Sequence, residues 1–311
     1  MYEQQGTASV SDNLALMTMP IFGRVLTAMV TPMTPTGEVD EDGVVAVAEH
    51  LLAHGHDGLV VNGTTGESAT LTSDESIRVI ELVAQTVGDR AVVLAGVGSN
   101  DTAHSIAMSR RAAAVGATGL LVVTPYYNKP TQPGLVAHFS AVADATDLPV
   151  LLYDIPGRAG IPIQTETLIR LAEHPRIVAV KDAKCDLWAA SKVMAATELQ
   201  YYCGADETNL ALLAQGAVGI VSVVGHVAGR EYAAMIRAVE AGDLATARTI
   251  HTRLIPVVDA IMSTSQGAIM AKAALVELGV ITSAAVRLPL VESPIDHLEI
   301  LRAGLSKSGI R

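Results

Sequence analysis

Eight short apolar runs separated by helical patterns constrain this chain more than any other feature. They are Val25–Thr31, Gly58–Asn62, Ala91–Ala95, Gly119–Val123, Pro149–Tyr153, Ile177–Lys181, Leu199–Cys203 and Val218–Val224. Most are continuous stretches of valine, leucine and isoleucine with little polar alternation, as expected of strands covered on both faces. Leu199–Cys203 is the least apolar of them. Asp40–Ala53, Ser73–Val87, Asp101–Val115 and Leu135–Ala145 carry helical periodicity between the runs. The second of these opens with Thr72-Ser73-Asp74-Glu75, where Thr72 or Ser73 supplies an N-cap. Strands alternating with helices at roughly 30-residue intervals predict parallel βαβ units, and eight such units predict a closed (β/α)8 TIM barrel rather than an open sheet. After Gly242 the alternation stops. Asp243–Met262, Ala268–Leu278 and Ser293–Leu305 read as helices, so a C-terminal helical appendage is expected over 243–311. The barrel is expected over 21–242, and residues 1–20, polar and mixed, read as a poorly ordered extension.

Composition limits the partners. Half of the 311 residues are apolar, enough for a large core, and the net charge of -11 disfavours nucleic acid and anionic membrane. No apolar run approaches the roughly 20 residues of a membrane span. The N-terminus lacks the basic region of a secretory signal. Two cysteines, Cys185 and Cys203, without metal-type spacing, fit a reducing, cytoplasmic setting.

In a barrel of this kind the chemistry gathers at the C-terminal ends of the strands. Run six ends in Lys181. A lysine there either reaches water beyond Val180 or is desolvated, and desolvation would lower its pKa and free an amine able to form a Schiff base with a ketone. Run five ends in Tyr153-Asp154-Ile155-Pro156-Gly157-Arg158, offering a phenol for proton transfer and a guanidinium for a carboxylate. After run two, Gly63-Thr64-Thr65-Gly66-Glu67-Ser68 presents hydroxyl and backbone donors suited to an anion; it lacks the lysine ending of a P-loop. Thr124-Pro125-Tyr126-Tyr127-Asn128 follows run four. An amine, a phenol, paired threonines and an arginine at one mouth describe a carbonyl-condensing site.

These motifs, in this order and spacing, resemble the dihydrodipicolinate synthase (4-hydroxy-tetrahydrodipicolinate synthase) family, within the pyruvate-dependent aldolase superfamily that includes N-acetylneuraminate lyase. The resemblance runs from about Phe22 to the C-terminus. It implies a lyase of lysine and diaminopimelate biosynthesis that joins pyruvate to L-aspartate 4-semialdehyde. Lys181 would form the imine, and Thr65 would hold the pyruvate carboxylate. Tyr153 would relay protons through Thr64 to Tyr127, the last coming from a neighbouring subunit. Arg158 would bind the semialdehyde carboxylate, and Gly204 and Val221 would line the pyruvate pocket. No metal or organic cofactor is implied, and the assembly implied is a homotetramer of two tight dimers. The alternative is a sister lyase or aldolase acting on a sugar acid or another 2-oxo acid, which would not need Arg158. A catalytically silent barrel would show damage among Thr64, Thr65, Tyr127, Tyr153 and Lys181, and none is damaged.

Some positions depart from the family. Asp154 stands where many members have asparagine, and a salt bridge from it to Arg158 is expected. Cys203-Gly204-Ala205-Asp206-Glu207 replaces a more usual serine-glycine-aspartate-aspartate. Ser73, Ser76 and His104 stand where lysine-sensitive members of one group carry histidines and a glutamate, so lysine inhibition through Ser68, Ala69, Asn100 and Tyr126 is expected to be weak or absent. Other signals favour structural readings. His50, His54 and His56 lack a completing carboxylate for a metal and are expected to be solvated. Gly96-Val97-Gly98 alone is weak evidence for a dinucleotide. Asp182, Asp206 and Glu207 read as solvated loop or helix N-terminal charge rather than as a metal site, and Met262 and Met270 as helix packing.

Overall fold

The computed structural model describes residues 19–311, so all but the last two positions of the expected N-terminal extension lie outside the described residues. Eight parallel strands close into a barrel in sequence order: β1 (Val25–Ala28), β2 (Gly58–Val61), β3 (Val92–Gly96), β4 (Gly119–Val123), β5 (Val150–Asp154), β6 (Ile177–Asp182), β7 (Gln200–Cys203) and β8 (Gly219–Ser222). Each strand is followed by a main helix: α1 (Glu41–Ala53), α2 (Ser73–Val87), α3 (Thr102–Ala114), α4 (Gln132–Ala143), α5 (Thr165–Leu171), α6 (Leu187–Ala196), α7 (Asn209–Ala214) and α8 (Gly225–Glu240). A helical turn, Pro156–Ala159, precedes α5. Three further helices follow the barrel: α9 (Leu244–Val258), which runs on into a π-helical segment, α10 (Gly267–Glu277) and α11 (Ile295–Lys307). The chain is thus a TIM barrel with a C-terminal helical appendage. Among the described residues no helix is long and apolar enough to cross a membrane.

Local chemistry sets the helix starts. Thr72 and Glu75 form a reciprocal capping box at α2, while Asp40, Asp101, Thr131 and Asp186 accept from backbone N–H groups at their own helices. Such caps contribute about 1 kcal/mol each. β1 and β8 fall furthest short of their apolar runs, each for a visible reason. Met29 still donates to Val60 O at 2.9 Å, but Val30 N donates to His226 Nε2 at 3.0 Å, so β1 leaves the ladder. At the end of β8, Val223 N and Val224 N donate to Asp206 Oδ2 at 2.8 and 3.1 Å instead of to a neighbouring strand.

Successive side chains on a strand face opposite ways. Leu26, Val60, Leu94, Leu121, Leu151, Ala179, Tyr202 and Val221 fill the lumen. Leu59, Val93, Val122, Leu152, Val180 and Ile220 face outward against the helices. Phe22 plugs the N-terminal end: its N–H donates to Tyr202 Oη at 3.2 Å, and the two rings lie 6.1 Å apart. The barrel is therefore packed solid below and open to chemistry only at its other end.

Candidate active site

Strand parity decides which end residues enter the site. Tyr153 follows Leu151 by two positions and Lys181 follows Ala179 by two, so both point into the lumen above that apolar layer. The β5–β6 register pairs Tyr153 directly with Lys181. Lys181 Nζ lies 4.0 Å from the centroid of the Tyr153 ring. Both residues are buried, Lys181 at 4% exposure and Tyr153 at 6%. Burial pushes the Lys181 amine down to about 7; the charges of Asp206 and Cys203 oppose this, and Arg158 adds to it. Burial raises the Tyr153 phenol to about 12, opposed by Arg158. A desolvated amine is a nucleophile for a carbonyl, and a protonated phenol beside it is a proton donor.

A pocket of about 240 Å³ opens at Tyr153, lined also by Thr64, Ser68, Tyr126, Ile155 and Arg158 among others. Thr64 is exposed to it, whereas Thr65 is buried in the turn behind, at 7% exposure. Gly66 N and Glu67 N close that turn onto Gly63 O and Thr64 O at 3.0 and 3.1 Å. Gly204 packs against the stem of Lys181: a Cβ there would lie 2.8 Å from Lys181 Cγ. Val221 is buried in the lumen layer beneath. Tyr127 does not join this group within one chain. It is 89% exposed and held at φ 73°, a left-handed conformation uncommon for a bulky residue.

The expected Asp154–Arg158 salt bridge is absent. Asp154 has the opposite parity to Tyr153 and faces outward, where Lys184 Nζ lies 3.3 Å from Oδ2 and Ile163 N donates to Oδ1 at 3.1 Å. Burial raises its carboxyl to about 6. Arg158 is left exposed at the pocket rim. Asp182 and Asp206 are not solvated loop residues either. Asp182 Oδ1 accepts from Lys184 N and Cys185 N. Asp206, 3% exposed, accepts from Ser222, Asn209, Val223 N and Val224 N, so its carboxylate holds the turn between β8 and α8. The histidines differ from expectation in the same way. His56 is buried, donates from Nδ1 to Leu51 O at 2.8 Å and accepts from Thr27 Oγ1 at 2.7 Å. His50 is half-buried and its Nε2 donates to His226 O at 2.9 Å. Their place between β1, α1 and α8 gives each a hydrogen-bond partner that periodicity alone did not reveal. Among the described residues no group of three or more histidine, cysteine or acidic side chains is placed to hold a metal ion.

The residues that sequence reasoning missed are Glu67 and Lys272. They meet as a buried ion pair behind the threonine turn although they lie 205 positions apart. A charged residue within the nearly all-apolar stretch of α10 was the available signal.

Residues 21–308 match the model of the dihydrodipicolinate synthetase family. The chain belongs to this family. It is 61% identical over 289 residues to a 4-hydroxy-tetrahydrodipicolinate synthase of Kineococcus radiotolerans, covering 93% of this chain and 94% of that one. Among solved structures it resembles the dihydrodipicolinate synthase of Cyanidioschyzon merolae with lysine bound. That match has a TM-score of 0.90 and 42% identity, covering 93% of this chain and 99% of that one. It also resembles the chloride-inhibited enzyme of Acinetobacter baumannii complexed with pyruvate. Here the TM-score is 0.89 and the identity 36%, covering 94% of this chain and all of that one.

Proposed function

We propose that this chain is a 4-hydroxy-tetrahydrodipicolinate synthase, a lyase that condenses pyruvate with L-aspartate 4-semialdehyde through an imine on Lys181. The observation that carries the reading is the buried Lys181 amine, with its pKa near 7, paired in register with Tyr153 at the mouth of the barrel. At pH 7 about half of such an amine is unprotonated and nucleophilic. It adds to the ketone of pyruvate and water leaves. The protonated imine draws electrons from the adjacent methyl, which loses a proton to give the enamine. The enamine carbon then attacks the semialdehyde, whose carbonyl becomes the hydroxyl. The acceptor's own amino group displaces Lys181 from the imine carbon, closing the ring and restoring the amine. The imine itself serves as the electron sink, so no step calls for a metal or an organic cofactor.

In this reading Tyr153 carries protons to and from the imine and enamine, its raised pKa keeping it protonated between transfers. Thr65 and the turn around it bind the pyruvate carboxylate, with Gly204 and Val221 shaping the space around the bound methyl. Thr64 links Tyr153 outward to Tyr127 of a neighbouring subunit. The high exposure of Tyr127 supports this donation across an interface; a homotetramer built from two tight dimers belongs to the same proposal. Arg158, without an acidic partner among the described residues, is free for the semialdehyde carboxylate. That favours the synthase over a sister aldolase acting on a sugar acid. The division into a catalytic barrel over 21–242 and a helical region over 243–311 belongs to the same proposal, as does a cytoplasmic location, supported by two unpaired cysteines.

Borohydride reduction in the presence of pyruvate tests the reading. A mass gain on Lys181 is expected, and its absence would overturn the mechanism. Assays pairing pyruvate with aspartate semialdehyde or with N-acetylmannosamine then decide the acceptor.

A further inference from the structure

Glu67 closes the Gly63–Ser68 turn in the left-handed region, at φ 56°. Its carboxylate enters the protein interior, where both oxygens are taken by the C-terminal region. Lys272 of α10 donates from Nζ to Oε1, and Arg287 N donates to Oε2 at 2.9 Å. Lys272 also donates to Ala285 O at 2.7 Å, and its side chain is fully buried. The Arg287 guanidinium fastens the surroundings of the turn: it donates to Glu75 Oε2 at 2.9 Å, and to Gly37 O and Thr70 O at 2.8 Å each. From the barrel side, Thr31 Oγ1 donates to Gly66 O at 2.8 Å. The turn that carries Thr64 and Thr65 is therefore gripped from behind by Lys272 on a helix far away in sequence and by Arg287 in the loop that follows it.

A buried ion pair is weak evidence for stability, because desolvation offsets much of the attraction. Residues 267–275 of α10 are buried and, apart from Lys272, carry no charge, so an apolar side chain at 272 would suit that packing equally well. The pair is better explained by what it orients. Glu67 N donates to Thr64 O at 3.1 Å, so the left-handed backbone at Glu67 sets the direction of the Thr64 peptide. We infer that Lys272 and Glu67 are positioning residues, through which the C-terminal helices set the threonine turn and hence the seat of the 2-oxo acid carboxylate. This inference rests on the function proposed above.

The test uses the full chain with Glu67→Gln, Lys272→Met and Lys272→Arg. Melting temperature, kcat, KM for pyruvate and borohydride trapping at saturating pyruvate are measured for each. The first two variants are expected to remain folded at the assay temperature and to raise KM for pyruvate about tenfold, as displacement of a binding group does. They should still trap pyruvate on Lys181 when it is saturating. Lys272→Arg is expected to bring KM back toward that of the unmodified chain. A lower melting temperature with unchanged KM and kcat would overturn the inference, since that is what a purely structural pair predicts. Should Lys272→Met fail to fold, Glu67→Gln decides, and unaltered kinetics there would likewise overturn it. Failure of the function reading shows differently: the unmodified chain itself would trap no pyruvate.

Discussion

Gly204 offers the sharpest test of how Lys181, the proposed nucleophile, is held. A Cβ at this position would lie 2.8 Å from Lys181 Cγ, 2.9 Å from Lys181 Cε and 3.1 Å from Asp182 O. Its backbone is not in the left-handed region, so Gly204→Ala adds a steric load and no conformational strain. The load cannot be relieved cheaply. Asp182 O is held by the 2.7 Å bond from Gly204 N, which keeps β6 and the β7 end together. Contact with both Cγ and Cε means that the whole lysine stem must move, rather than the amine tip alone. Overpacking by one methyl costs about 1–3 kcal/mol of stability. Displacing the amine by about 1 Å lowers kcat/KM on the order of a hundredfold. Steady-state kinetics with pyruvate and aspartate semialdehyde, with melting temperature as control, measures both. The variant is expected to stay folded, with slow trapping of pyruvate by borohydride and a large loss in kcat/KM. A Gly204→Ala chain that melts somewhat lower yet keeps most of its kcat/KM would refute the reasoning, because the lysine would then have room that the packing denies it.

Imine formation with pyruvate, followed by single-turnover trapping, is expected to rise with pH through a midpoint near 7, tracking the free amine of Lys181; a midpoint near that of an ordinary lysine would contradict its desolvation. Asp154→Asn is expected to gain stability relative to the unmodified chain as pH rises from about 4 to about 6. In that window the folded chain holds a proton on Asp154, whose pKa is raised to about 6, that the unfolded chain has released, so the unmodified chain loses stability as pH rises. Denaturant titrations at several pH values check this, and a difference independent of pH would refute it. Lysine is expected to inhibit weakly or not at all, and an inhibition constant below millimolar would contradict that expectation.

Much of the fold was legible because its signals are local. Continuous apolar runs identify strands covered on both faces, and caps such as Thr72 with Glu75 operate over three residues. The lysine at the end of run six and the phenol at the end of run five could be brought together once eight units implied one mouth. The period of two along a strand also bears on Arg158. Tyr153 and Asp154 are adjacent on β5 and cannot face the same way, so a lumen-facing Tyr153 sends Asp154 outward and leaves Arg158 free. The expected Asp154–Arg158 pair conflicts with that alternation. The embedded histidines and the buried partners of Asp206 were illegible for another reason. Thr27, Leu51, Ser222 and the turn before α8 come from separate elements.

The sequence alone thus determined the barrel, its closed order and the candidate amine, because strand patterning and reactive side chains are properties of short segments. Only the tertiary structure decided how that amine is made reactive and how its surroundings are held. Burial shifts Lys181, a glycine just beyond the next strand fits against its stem, and Lys272, 205 residues from Glu67, grips the turn that carries Thr64 and Thr65. Desolvation, close packing and long-range ion pairing depend on which segments meet, and that is settled only when the chain folds.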